Sequence, residues 1–194
     1  RSPTVQISTL ARRSALPIVT ALLATGLQIP LQTAQAAPSG RFALGDSVML
    51  GAKARLENRN YSVKAKTSRQ VQGGVDLLRA KARDNSLRTN VVVHLGTNGT
   101  FTQQQCRAMH SVVGSSRRLF LVTVNVPRSW AKPNNRVIKR CAARYSNTYL
   151  VDWRGFVKRH PGVVESDGYH LTSTGARKYA ALIDQRVDAV VRRG

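Results

Sequence analysis

The sequence predicts an α/β fold: a three-layer α/β/α sandwich with five mostly parallel strands and helices on both faces of the sheet. Three observations predict it. Short apolar runs alternate with helical patterns along the chain, the signature of strands joined by helical crossovers. The run Val91-Val92-Val93-His94-Leu95 is dense in β-branched residues, as a buried strand requires. No internal repeat or long linker interrupts the 194 residues, so one domain and a leader account for the length.

The elements follow in order. Arg41 to Leu44 forms the first strand and Ser47 to Glu57 a helix. Ser62 to Ala65 is a weaker second strand, followed by a helix over Val71 to Ala82. Val91 to Leu95 is the third strand, and Gln103 to Val113 the next helix. Leu119 to Val124 makes the fourth strand, Asn135 to Tyr145 a helix, and Tyr149 to Val151 a short fifth strand. A helix from Ser173 to Arg192 closes the chain, with Leu182, Val187, Val190 and Val191 among its apolar positions. In such sheets functional residues collect on loops at the carboxyl ends of strands. Gly45-Asp46-Ser47, Gly96-Thr97-Asn98-Gly99 and Asn125-Val126-Pro127-Arg128 all fall there.

Residues 1–36 read as a secretory signal peptide. Arg12-Arg13 closes an acid-free basic segment, Ala15 to Leu27 is mostly apolar, and Ala34-Gln35-Ala36 offers a small-x-small cleavage pattern. A retained amphipathic anchor is the alternative; the run is too short and too broken by Pro17, Gly26 and Pro30 for a membrane span. Residues 37–194 then form an exported, cell-envelope-associated or extracellular domain, expected to be a monomer. Cys106 and Cys141 permit one disulfide between predicted neighbouring helices, or two buried thiols.

The formal net charge is +22. Removing the leader takes away three arginines and leaves 28 bases against nine acids, a net +19. Such a balance implies polyanionic surroundings: nucleic acid, anionic lipid or an acidic wall polymer. A secreted polyanion-binding protein without catalysis is therefore one functional class. No specific nucleic-acid motif is present, and aromatic residues make up only 6% of the chain, so base-stacking platforms are few.

The other class is catalytic. Ser47 sits where a strand turns into a helix, which exposes its hydroxyl and places its N–H at the positive helix end. His170 follows Asp167 by three residues in a glycine-containing loop before the closing helix. Serine, histidine and aspartate supply nucleophile, base and orienting acid for acyl transfer through an acyl-enzyme. Among the other histidines, His94 lies in the buried strand as a satisfied core residue, His110 in a helix, and His160 in a basic surface stretch before Pro161. Asn98, flanked by Gly96 and Gly99, offers a side-chain amide to a tetrahedral oxyanion beside the N–H of Ser47. Taken singly, each motif also reads as an ordinary turn or helix entry; the constellation carries the catalytic reading. Such chemistry needs neither a metal nor an organic cofactor.

Gly-Asp-Ser, Gly-Thr-Asn and Asp-x-x-His, in this order on this strand pattern, resemble the SGNH (GDSL-type) hydrolase superfamily, whose sheet is flavodoxin-like. The strings GDSVMLGA, TSRQ, VVVHLGTNG, TVNVPRSW, VDW and DGYHLTSTG resemble more narrowly the extracytoplasmic SGNH domain of peptidoglycan O-acetyltransferases and related membrane acyltransferases. The resemblance covers about residues 41–185. It implies an acetyl-Ser47 intermediate, His170 as base, Asp167 as orienter and Asn98 as oxyanion donor. It adds the backbone N–H of Ser68 to the oxyanion hole, at a position where the wider family usually has glycine. Arg128 and Trp130 border the site by the same resemblance, either contacting sugar or forming a surface turn. Those acetyltransferases usually work with a multi-span membrane domain. A leader and a single domain therefore imply a separate membrane acyl donor, or water as acceptor and an O-acetylesterase. The substrate implied is a cell-wall or other envelope polysaccharide.

Overall fold

The structure, a computed structural model, describes residues 3–4 and 38–193. The predicted leader falls almost wholly outside the described residues. The fold is that of residues 38–193. Among the described residues no helix is long and apolar enough to cross a membrane.

Five strands, β1 (Arg41–Gly45), β2 (Tyr61–Ala65), β3 (Asn90–His94), β4 (Arg118–Val122) and β5 (Thr148–Val151), pair in the order β2-β1-β3-β4-β5. Every pairing is parallel. Alternation along each strand sorts side chains between the two faces. Phe42, Leu44, Val91, Val93, Leu119 and Leu121 face one core. Ala43, Val92, Phe120, Val122 and Val151 face the other. The helices α3 (Val71–Arg83), α4 (Gln103–Val113) and α5 (Ala131–Arg144) cover the first face. The second is covered by α1 (Ser47–Gly51), α2 (Lys53–Glu57), α6 (Trp153–Arg159) and α7 (Ser173–Val191). Cys106 of α4 and Cys141 of α5 are joined in a disulfide.

Three local departures from the sequence expectation have physical causes. The helix expected over Ser47 to Glu57 is two short helices, interrupted at Ala52, which has φ −107° and ψ 5°. Leu56 and Met49 still reach the same core, so burial holds the broken segment together where helical hydrogen bonding lapses. The helix expected from Asn135 begins four residues earlier, at Ala131, and Pro133 is accommodated in its first turn. Helix α6 was not expected: it is only seven residues long and carries Gly155 in its interior. Its anchors are Trp153, fully buried, and Asp152, whose Oδ1 accepts the Gly155 N–H at 3.2 Å.

The order of pairing matters for function. The chain moves from β1 outward to β2, then returns to the opposite side of β1 for β3. In sheets wound this way ligands bind at the carboxyl ends where the direction of winding reverses. Gly45 pairs in register with His94, so the loops after β1 and β3 leave the sheet side by side. Ser47 lies on the first loop and Asn98 on the second.

Candidate active site

The strand-to-helix turn after β1 is tight because of Gly45. A Cβ there would lie 2.4 Å from the Cβ of Met49, so only glycine lets α1 start this close to the strand. Asp46 is wholly buried and caps α1, its Oδ1 accepting from Val48 N at 3.1 Å. Ser47 is the first residue of that helix.

His170 reaches Ser47 from the far end of the sequence. Its Nε2 lies 3.1 Å from Ser47 Oγ, and its Nδ1 lies 2.6 Å from Asp167 Oδ2. The other oxygen of Asp167 accepts from the backbone N–H groups of Tyr169 and His170, each at 3.0 Å. Desolvation pushes the Asp167 pKa up. The two backbone donors, with the hydrogen bond and charge of His170, outweigh it and hold the carboxyl below its ordinary value. An ionised Asp167 fixes Nδ1 as the protonated nitrogen and leaves Nε2 to take a proton from serine.

Other contacts fix the histidine loop in place. Glu165 N donates to His170 O at 2.9 Å, and Val164 bridges Leu171 in antiparallel fashion. Asn125, after β4, donates from Nδ2 to Gly168 O at 2.7 Å and ties this loop to the sheet edge.

On the β3 loop, Asn98 Nδ2 is buried and has no hydrogen-bond partner among the described residues. A buried amide donor left unpaired is costly, and one beside a nucleophile suits an incoming oxyanion. Asn134 of α5 holds the loop: its Nδ2 donates to Gly96 O at 2.9 Å and Gly99 O at 2.7 Å, and its Oδ1 accepts from Phe101 N at 2.7 Å. Gly96 has φ 108°, and a Cβ on it would stand 3.0 Å from Asn134 Nδ2. Asn135 clamps the neighbouring loop, exchanging two 2.8 Å hydrogen bonds with Val124. Sequence reasoning placed Asn125 on a loop at the site edge without giving it a role, and missed Asn134 and Asn135. The available signal was a pair of adjacent asparagines at inward positions of an otherwise basic amphipathic helix.

Ser68 lies in the loop after β2 with φ 54°, a left-handed conformation that glycine adopts freely and serine does not. That conformation explains why glycine suits the position. Arg69 next to it donates from Nε to Gly45 O at 3.0 Å, tying this loop to the serine turn. Trp130 is half-buried and spends its indole N–H on Thr97 O, 3.2 Å away, which makes it a brace for the Asn98 loop. Arg128 is exposed on the preceding turn.

His94 departs from the expected satisfied core histidine. It is fully buried and its Nδ1 pairs with the Tyr179 hydroxyl at 2.7 Å, yet Nε2 has no partner among the described residues. Burial pushes its pKa down, partly offset by the charge of Asp46. The His94 ring also stacks on that of Tyr179 of α7, with centroids 5.5 Å apart.

The parallel sheet in the order 2-1-3-4-5 carries a serine–histidine–aspartate relay across its switch point, the arrangement that the resemblance to SGNH (GDSL-type) hydrolases implies. The chain is a homologue of the peptidoglycan O-acetyltransferases, and its fold is that of their SGNH catalytic domain. It is 34% identical over 145 residues to YrhL of Bacillus subtilis, provisionally named a peptidoglycan O-acetyltransferase; the match covers 74% of this chain and 23% of YrhL. It is 32% identical over 143 residues to the peptidoglycan O-acetyltransferase OatA of Listeria monocytogenes, covering 73% of this chain and 23% of OatA. The chain thus spans about a quarter of the length of the relatives it matches. Among solved structures, the C-terminal catalytic domain of Streptococcus pneumoniae peptidoglycan O-acetyltransferase A superposes with a TM-score of 0.72 at 19% identity, over 79% of this chain and 94% of that domain. No family model matches the sequence.

Proposed function

We propose that this chain is a serine acyltransferase that moves an acetyl group onto a hydroxyl of a cell-envelope glycan through an acetyl-Ser47 intermediate. The observation that carries the reading is the continuous relay from Ser47 Oγ through His170 to Asp167. In the first half-reaction Ser47 Oγ attacks the acetyl carbonyl while His170 Nε2 takes its proton. The tetrahedral oxyanion is held by the N–H groups of Ser47 and Ser68 and by Asn98 Nδ2. Collapse expels the donor's oxygen, which receives the proton back from His170. In the second half-reaction His170 deprotonates a sugar hydroxyl, that oxygen attacks the acetyl-enzyme, and Ser47 is released with its proton restored.

The homologues named peptidoglycan O-acetyltransferases support peptidoglycan as the acceptor. They also support an exported location; a leader over residues 1–36 and a catalytic domain over residues 37–194 are part of the same proposal. A membrane acyl donor would supply the acetyl group. The second reading, a carbohydrate O-acetylesterase, draws on the openness of the relay: the side chains of His170 and Asp167 are 42% and 39% exposed, so water has access.

The test incubates residues 37–194 with an activated acetyl ester, with and without wall-type oligosaccharide, and reads the products by mass spectrometry. Acetylated sugar that requires Ser47 establishes the transferase. Free acetate alone, whatever sugar is present, establishes the esterase.

A further inference from the structure

A second cleft lies on the same edge of the sheet, between the two helical layers. It encloses about 360 Å³ and is lined by Lys132, Arg136 and Lys139 of α5 and by Arg154 and Lys158 of α6, over a floor that includes Thr123 and Asp152. Its size falls in the range of small-ligand sites. Five cations converge there from two elements that belong to opposite layers, and none of the triad residues lines it.

These cations lack internal partners. Among the described residues no carboxylate comes within ion-pair distance of any of the five. The undescribed segments contain no Asp or Glu that could supply one. The single acid in the floor is already engaged: Asp152 Oδ1 accepts from Thr123 Oγ1 at 3.0 Å and from Gly155 N at 3.2 Å. Thr123 Oγ1 in turn accepts from Arg154 N at 2.9 Å, and the Asn135 amide is spent on Val124. Asp152 Oδ1, Thr123 Oγ1 and the Asn135 amide are thus engaged within the floor, while the walls present cations with no ion-pair partner among the described residues. Like charges that face one cleft repel one another, and an anion entering it relieves that repulsion.

Position gives the cleft its meaning. Thr123 and Asp152 follow β4 and β5, two and three strands from β1. At the usual interstrand spacing that places the cleft roughly 10–15 Å from Ser47, along the same rim. We propose that this cleft is an oxyanion-binding subsite that holds a phosphate or carboxylate group of the acceptor polymer while a hydroxyl farther along the chain meets Ser47. The identity of the polymer rests on the acyltransferase reading; the anion site itself does not. Arg136, Lys139 and Arg154 would set the register of acetylation along an acidic glycan and discriminate against neutral ones.

The test titrates isotopically labelled residues 37–194 with inorganic pyrophosphate and, separately, with citrate, at physiological ionic strength, and follows backbone amide shifts. Saturable shifts confined to Thr123, Arg136 and 152–155 are expected, and the tighter of the two anions names the group recognised. The double variant Arg136→Ala/Lys139→Ala, both exposed positions, should weaken binding about tenfold or more, the loss expected from removing a charge-assisted contact. Arg55→Ala/Lys64→Ala removes the same charge elsewhere and should leave the affinity unchanged. Equal weakening by both pairs, shifts scattered over the surface, or no saturation would overturn the subsite. Anion binding confined to the cleft, in a protein that acetylates no glycan, would overturn the acceptor reading and leave the subsite standing.

Discussion

Asn98 and Asn134 differ in a way that separates chemistry from architecture. Asn98→Ala removes a buried amide whose Nδ2 has no partner among the described residues. An unsatisfied buried donor costs about 1–3 kcal/mol, so the variant should be as stable as the parent or more stable by up to that amount. Turnover should fall by about 10²–10³, the usual effect of losing one oxyanion donor. Asn134→Ala removes three hydrogen bonds, to Gly96 O, Gly99 O and Phe101 N. At about 1 kcal/mol each, with a further penalty for the groups left unpaired, the loss is about 3–4 kcal/mol. For a domain of this size that lowers Tm by roughly 6–16 °C. Turnover falls as well, because the Asn98 loop loses its brace. Asn134→Asp keeps the acceptor for Phe101 but turns an acceptor toward two carbonyls, and should behave like Asn134→Ala. The assays are hydrolysis of a chromogenic acetyl ester and thermal unfolding of the same preparations. Undiminished turnover in Asn98→Ala, or unchanged stability in Asn134→Ala, would refute the assignment of a donor and a brace.

Three further outcomes are expected. Ser68→Gly relieves a left-handed serine at φ 54° and should raise stability by about 1 kcal/mol with activity retained, checked by urea unfolding; Ser68→Val should lose both. Reducing the bond between Cys106 and Cys141, 35 residues apart, or replacing both with serine, should cost about 3–4 kcal/mol in the chain-entropy account, read as a shift in the urea midpoint. The Asp167 carboxyl titrates below its ordinary value in the fold, so its stabilisation is complete above the ordinary pKa of about 4 and fades as pH falls through the lower folded value. The stability gap between the parent and Asp167→Asn should therefore be constant from neutral pH down to about 5 and close below about 4, as measured by unfolding midpoints across that range.

The doubly wound parallel sheet and the meeting of Ser47, His170 and Asp167 were legible for the same reason. Alternating apolar runs announce a doubly wound sheet, and such a sheet brings Ser47 and the Asn98 loop to its switch point whatever the distance in sequence. His170 was identifiable because Asp167 precedes it by three residues, a spacing that lets one short loop orient the ring. Less legible was whatever depends on tertiary contact. Helix α6 has only Trp153, Phe156 and Val157 to announce it, too few for a helical period. The break at Ala52 comes directly after Gly51, a poor helix former, though Ala52 itself has high helix propensity. Asn125, Asn134 and Asn135 look like surface polar residues until the fold turns their amides toward loop carbonyls. Trp130 read as either a sugar contact or part of a surface turn, and its hydrogen bond to Thr97 O, which braces the Asn98 loop, shows only in the fold.

The most direct test of the central claim is rapid acid quenching of residues 37–194 during turnover of an activated acetyl ester, followed by peptide mass spectrometry. The account predicts an acetyl group on the peptide containing Ser47, on that serine and nowhere else, that decays faster when oligosaccharide acceptor is added. It also predicts no acetyl-enzyme and no turnover in Ser47→Ala. Turnover that persists in Ser47→Ala, or an acetyl group that resides on another residue and transfers from there, would contradict it.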